Sequence, residues 1–232
     1  IKVLTVPTGN SVSAAEYTLL QILFLTRRMP EVQRFIANKD YRRHLLEGNE
    51  IFNMTIGLVG LGNVGMLVFE RLKPFGCKVL GYDPYAKNVE KFISDGGSYY
   101  KSFDSFLSEL DIVTFHARLT SENFHMMGEH QFNLIKPGLL LVNNSRAELI
   151  NEGELLKAVN NGQVSAVALD VISPEPPFDS KPENHDFNHI LLNHPKIHLT
   201  PHIGASTIEA QTRISIDICN QIIDNWNENP VR

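Results

Sequence analysis

Hydrophobic positions along the chain change rhythm near residue 55. Before that point one segment, residues 13–28, is apolar nearly all round: from Tyr17 to Leu25 only Thr18 and Gln21 are polar. A helix of that composition is expected to be buried on most of its sides. Ser13 and Glu16 have the spacing of a capping box at its start, and Pro30 is expected to stop it. Residues 1–6 read as a strand, and residues 31–53 as a charged, solvated connection of helix or loop.

After residue 55, short apolar runs alternate with helical segments. The runs at 55–60, 78–82, 111–116, 139–143, 164–169 and 197–200 have the length and composition of buried strands. Between them lie helical stretches at 63–73, 88–94, 103–110, 131–135 and 151–160, and a last helix at 206–226 follows. Asn151 with Glu154 and Ser206 with Glu209 repeat the capping-box spacing. Strands alternating with helices predict an α/β fold on a doubly wound, mostly parallel sheet. Gly57, inside the first of these strands, reads as a close-packing position, and residues 174–193 as one long polar, proline-containing insertion.

Composition narrows the function classes. The chain of 232 residues is 43% hydrophobic and 20% charged, which is ordinary for a folded globular protein. Its net charge is −5, so it has no basic excess to suit nucleic acid or an anionic membrane. Its apolar runs are far shorter than the roughly 18–20 residues of a membrane span. The two cysteines, Cys77 and Cys219, stand far apart in apolar sequence, with Cys77 expected in the core. They exclude a disulfide framework and a four-cysteine zinc site, and suit a reducing cytoplasm. His185, His189, His194, His198 and His202 come close to a metal-ligand spacing. On a strand, however, four residues span about 13 Å, so His198 and His202 are not expected to share an ion, and no metal site is assigned. The chain opens on Ile1 with no signal-peptide pattern and reads as starting inside a larger protein.

The sharpest motif is Gly60-Leu61-Gly62-Asn63-Val64-Gly65, which follows a buried strand and opens a helix. That context suits a dinucleotide: Gly60 permits a tight turn, Gly62 lets the backbone approach a pyrophosphate, and Gly65 lets the helix pack against the strand. The helix start at Asn63 and Val64 offers free N–H groups to the anion. Asp83 lies eighteen residues after Gly65, at the end of the next strand. A carboxylate there accepts hydrogen bonds from ribose hydroxyls and repels a 2′-phosphate, so NAD is expected over NADP, on a Rossmann-type domain.

Three further strand ends carry polar residues among apolar ones: Asn143-Asn144-Ser145-Arg146, the stretch Asp170-Val171-Ile172-Ser173-Pro174-Glu175, and Thr200-Pro201-His202-Ile203-Gly204. Ligands of an open parallel sheet sit beyond such ends. An arginine can grip a carboxylate, and a histidine beside a carboxylate can exchange a proton near neutral pH. Next to a nicotinamide, Arg146, Glu175 and His202 form the equipment for hydride transfer at a 2-hydroxy acid.

On these residues nearly the whole chain resembles the D-isomer-specific 2-hydroxyacid dehydrogenases. Three segments carry the likeness: Val142-Asn143-Asn144-Ser145-Arg146, Ala168-Leu169-Asp170-Val171 followed by Glu175-Pro176, and Thr200-Pro201-His202-Ile203-Gly204-Ala205-Ser206-Thr207. Two positions depart from the family pattern: Ala147 stands where a glycine is usual, and Arg118 ends His116-Ala117-Arg118 where a proline is frequent. The resemblance implies that Arg146 binds the substrate carboxylate, Glu175 orients His202, and His202 moves the proton. It implies that Asp170 holds the carboxamide side of the nicotinamide, and that His116, Asn144, Ser145 and Gly204 also line the NAD site. It implies a homodimer through the helix at 13–28, a return helix at 206–226, and a substrate domain whose N-terminal part is missing from the chain. Expected substrates are 3-phosphoglycerate first, with glyoxylate, hydroxypyruvate or D-lactate as rivals. An NAD-responsive corepressor-like binding protein is the alternative from a different class.

Overall fold

In the computed structural model, which describes residues 3–177 and 179–228, the chain folds around one parallel sheet. Its strands are β1 (Thr55–Val59), β2 (Lys78–Tyr82), β3 (Ser98–Tyr100), β4 (Ile112–Phe115), β5 (Leu139–Asn143), β6 (Val164–Leu169) and β7 (Ile197–Leu199). They lie in the order β3-β2-β1-β4-β5-β6-β7, so the direction of winding reverses between β1 and β4. The helices are α1 (Ser11–Thr26), α2 (Met29–Ala37), α3 (Asn63–Leu72), α4 (Val89–Ser94), α5 (Phe103–Leu107), α6 (Glu129–Leu134), α7 (Glu152–Asn160) and α8 (Ile208–Glu228). The doubly wound α/β arrangement is the one the alternating pattern predicts. Among the described residues no helix is long and apolar enough to cross a membrane.

The two faces of the sheet sort by strand period. Val113 and Phe115 of β4, Leu139 and Leu141 of β5, and Val167 and Leu169 of β6 face a core closed by α5, α6 and α7. Ile112, Val142 and Ala168, the alternate positions, face a second core closed by α1 and α3. The residues under α1 include the small Ala166 and Ala168, which let this helix lie close to the sheet.

Helix α1 is not buried all round. Its inner face is formed by Ala15, Thr18, Ile22 and Leu25, and the two polar positions point inward: Thr18 is 0% and Gln21 2% exposed, whereas Leu20 is 55% exposed. Thr18 donates its hydroxyl to the Ala14 carbonyl, so its polarity is satisfied within the helix. The expected start and stop also shift. Ser13 caps nothing, because its hydroxyl pairs with Thr207 Oγ1 at 2.7 Å. The helix begins at Ser11 and ends at Thr26, and Pro30 stands in the first turn of α2, where its missing N–H costs no hydrogen bond.

Other boundaries differ for equally local reasons. Residues 3–6 of the expected first strand join no sheet; the Thr5 carbonyl instead accepts from Gln221 of α8. Residues 1 and 2 lie outside the described residues. The expected connection at 31–53 contains α2 and a loop. Strand β3, three residues at the sheet edge, has no counterpart in the sequence reading. At the last helix Thr207, not Ser206, accepts the Ala210 N–H, and the helix starts at Ile208. Cys77 is half-buried rather than core, with burial pushing its thiol pKa up, and Cys219 is exposed on α8.

Gly57 is a close-packing position. A methyl group built there would lie 2.3 Å from Leu110 Cδ1 and 2.7 Å from Phe106 Cζ, both fully buried. Gly57→Ala is expected to cost about 1–3 kcal/mol by overpacking, seen as a lower urea midpoint at unchanged slope. An unchanged midpoint would contradict this packing.

Candidate active site

The polar residues singled out in the sequence collect along the carboxyl edge of the sheet. At its centre, beside the reversal of winding, is the glycine turn. Gly60 has a φ of 101°, and its N–H donates to the Tyr82 carbonyl at 2.8 Å. A Cβ there would strike the backbone of His116 and Ala117 at 2.8 Å, so only glycine lets β1 and β4 diverge this tightly. A Cβ on Gly65 would lie 2.0 Å from the Gly60 carbonyl oxygen, which fixes how closely α3 sits on the turn. At Gly62 an added Cβ would meet nothing within 4 Å. The start of α3, with exposed Asn63 and half-buried Val64, therefore faces open space with its first-turn N–H groups available.

Asp83, at the end of β2, braces the same turn. Its Oδ2 accepts from the Leu61 N–H and its Oδ1 from the Tyr85 N–H, each at 2.9 Å. On the other side of β1, His116 leaves β4 with its Nε2 3.2 Å from Thr114 Oγ1, and burial pushes its pKa down to about 4. The ring is therefore neutral near physiological pH and adds no charge beside the turn.

The nicotinamide-side candidates come from β5, β6 and β7. Buried Asn143 folds the exit of β5: its Oδ1 accepts from Ser145 N–H and Oγ, and its Nδ2 donates to the Arg146 carbonyl. That turn presents Arg146 at the surface, with Nη1 donating to the Ser145 carbonyl. Asn144 donates to Thr18 of α1 at 3.4 Å, while its Oδ1 is buried without a hydrogen-bond partner. An orphaned acceptor at the exit of β5 is what a donor-bearing ligand such as a carboxamide would satisfy.

Asp170 is 1% exposed, and its carboxylate is held by donors of a single loop. Oδ1 accepts from Thr200 Oγ1 at 2.6 Å and the Ile203 N–H at 2.9 Å, and Oδ2 from the Gly204 N–H at 2.7 Å. All three donors belong to the loop that carries His202, and the His202 N–H itself donates to the Asp170 carbonyl. Within that loop His202 takes a left-handed backbone conformation, with φ of 56°. Its Nδ1 lies 2.8 Å from Glu175 Oε1, and both side chains remain partly open to solvent. The pair that the sequence suggested across 27 positions is thus in direct contact.

Tyr17 and Thr18 of α1 belong to this site and were missed in the sequence. Tyr17 packs on Gly204, and its pKa is pushed up chiefly by burial, with nearby Asp170 adding to the rise. For Thr18 the signal was present, since a polar position within an otherwise apolar helix is a candidate for an inward, functional face; Tyr17 carried no such mark. The other histidines of the stretch have separate neighbours: His189 pairs with Glu152, His194 with Asn160, and His198 with the ring of Phe24.

A turn with room for a phosphate at Gly62, an acid at the adjoining strand end and an orphaned acceptor at the far end together suit an extended dinucleotide. Comparison with known proteins agrees. Residues 19–204 match the family described as D-isomer specific 2-hydroxyacid dehydrogenase, NAD binding domain. The chain is 34% identical over 221 residues to the D-3-phosphoglycerate dehydrogenase of Bacillus subtilis, covering 95% of this chain and 40% of that protein. It therefore spans about two-fifths of that relative's length. Among solved structures, the pyruvate reductase of Chlamydomonas reinhardtii is 29% identical with a TM-score of 0.88, covering 99% of this chain and 70% of that one. The D-lactate dehydrogenase of Aquifex aeolicus, solved with NAD and lactic acid, is 26% identical with a TM-score of 0.85, covering 96% and 69%. The chain belongs to the D-isomer specific 2-hydroxyacid dehydrogenases, as an NAD-binding domain of that family.

Proposed function

We propose that this chain is the cofactor-binding part of an NAD-dependent oxidoreductase acting on a D-2-hydroxy acid, with 3-phosphoglycerate as the first candidate substrate. The observation that carries the reading is the Glu175–His202 contact at 2.8 Å, on the same sheet edge as the glycine turn and Arg146. The 34% identity to a phosphoglycerate dehydrogenase supports that substrate. A further domain covering the carboxyl edge of the sheet is part of the proposal. It is supported by the greater length of the relatives and by Ile216, Ile222, Ile223 and Trp226, which are exposed on α8. The two free cysteines are consistent with a reducing cytoplasm.

NAD, when bound, supplies the hydride acceptor or donor. The residues of this chain do the rest. With Nδ1 donating to Glu175, His202 presents Nε2 as the base that accepts the substrate hydroxyl proton during oxidation and returns it in reduction. Glu175 stabilises the imidazolium formed on the way. Arg146 grips the substrate carboxylate and so fixes the reacting carbon. Asp83 accepts from the ribose hydroxyls, the N–H groups of Asn63 to Gly65 receive the pyrophosphate, and Asn144, Ser145 and Gly204 border the nicotinamide end. Asp170 acts by holding the His202 loop in place.

Three results are expected. Isothermal titration should give much tighter binding of NADH than of NADPH, and Asp83→Ala should weaken NADH; equal affinity for the two nucleotides would sink the assignment of Asp83. In the intact enzyme, His202→Ala should lower kcat by about 10²–10⁴ with NAD affinity nearly unchanged, while Arg146→Ala should chiefly raise KM. Retention of full turnover by His202→Ala would refute the proton-transfer role. Finally, exposed Leu20 with half-buried Leu19 and Phe24 favours a two-fold homodimer through α1. Light scattering at micromolar concentration should report a dimer that Leu20→Lys weakens, and a monomeric unmutated protein would exclude it.

A further inference from the structure

A second glutamate–histidine pair lies beside the site. Glu152 opens α7, His189 lies between β6 and β7, and their side chains are 12% and 6% exposed. Glu152 Oε2 is 3.1 Å from His189 Nε2. The Leu191 N–H donates to His189 Nδ1 at 3.3 Å, so the ring proton sits on Nε2, facing the carboxylate. Burial pushes the Glu152 carboxyl pKa up, opposed by the Ser173 N–H and His189; Glu148 is the other charged neighbour acting on it. Phe187 stacks parallel to the His189 ring at 6.3 Å.

What this pair holds is one residue's backbone. Glu152 Oε1 accepts the Ser173 N–H at 3.0 Å, and His189 Nε2 lies 3.1 Å from the Ser173 carbonyl oxygen. Both polar groups of Ser173 are thus clamped by side chains from two other parts of the chain. Ser173 stands in a stretch without helix or strand, two residues before Glu175. The placement of the Glu175 carboxylate against His202 depends on where that stretch is anchored; buried Ile172 holds it on the core side, and this pair fixes the backbone of Ser173, two residues before Glu175.

We propose that Glu152 and His189 are positioning residues that clamp Ser173 and thereby keep Glu175 on Nδ1 of His202. The proposal rests on the reading that Glu175 orients His202. It differs from a purely structural staple, which would tie α7 to the 174–193 insertion without affecting the imidazole.

The test reads the imidazole directly. Long-range ¹H–¹⁵N NMR of the protein at about pH 9, where histidine is neutral, reports which ring nitrogen of His202 carries the proton. The unmutated protein should hold mainly the Nδ1–H form, and Glu175→Leu should convert it mainly to Nε2–H. His189→Leu should shift the tautomer in the same direction and, in the intact enzyme, lower kcat about tenfold or more, with KM and NAD affinity little changed. His189→Gln, whose amide can still donate to Glu152 and Ser173, should restore most of both. Glu152→Gln keeps the acceptor for Ser173 but sets an amide N–H against the His189 N–H, so it should give an intermediate shift and serves if His189→Leu does not fold. A lower unfolding midpoint in these variants with an unchanged tautomer and unchanged kcat would overturn the proposal and leave a staple. No tautomer change in Glu175→Leu would instead remove the Glu175–His202 reading itself, and the proposal with it.

Discussion

The site depends on a buried charge that cannot be left unsatisfied. Asp170 lies at the end of β6 with 1% of its surface exposed, and its carboxylate is held by Thr200, Ile203 and Gly204 from the loop after β7. Hydrogen bonds to a charged group contribute about 1.5–3 kcal/mol each, and an unpaired buried carboxylate would cost several. The observed loop arrangement satisfies the charge, and it carries His202 to Glu175.

The sheet supplies the frame in which this happens. Small residues under α1 let that helix reach the strand ends, so Thr18 meets Asn144, Tyr17 meets Gly204, and Ser13 meets Thr207 at the start of α8. Arg213 of α8 donates to the Gly9 carbonyl, tying the last helix to the approach of the first. Residues from both ends of the chain thus brace one edge of the sheet. At the opposite side of that edge the glycine turn is constrained by direct steric contact: α3, Gly60 and the His116–Ala117 backbone have no space between them for a side chain.

Much of this was legible because it is local. The apolar run of β1, the glycine spacing and Asp83 lie within thirty residues, and each residue type has a distinct physical reason for its position. Strand ends announce themselves where polar residues follow apolar runs, which placed Arg146, Glu175 and His202. Features decided by tertiary contact were hidden. Composition makes α1 apolar nearly all round, but the fold turns Thr18 and Gln21 inward and leaves Leu20 outside. Ser13 and Ser206 are sound capping candidates, yet Ser13 is used to bond Thr207, and Thr207 itself caps α8. The Glu152–His189 contact joins residues 37 positions apart with no spacing rule to reveal it.

On the proposed reading, the polar edge of the sheet is one continuous dinucleotide and proton-transfer site. A crystal structure of the protein grown with NAD tests it most directly. The expected result is the pyrophosphate on the N–H groups of Asn63 to Gly65, the adenosine ribose on Asp83, and the nicotinamide beside Asn144 and the His202 loop. A dinucleotide bound without contact to Asp83, or with its nicotinamide directed away from His202, would contradict the account.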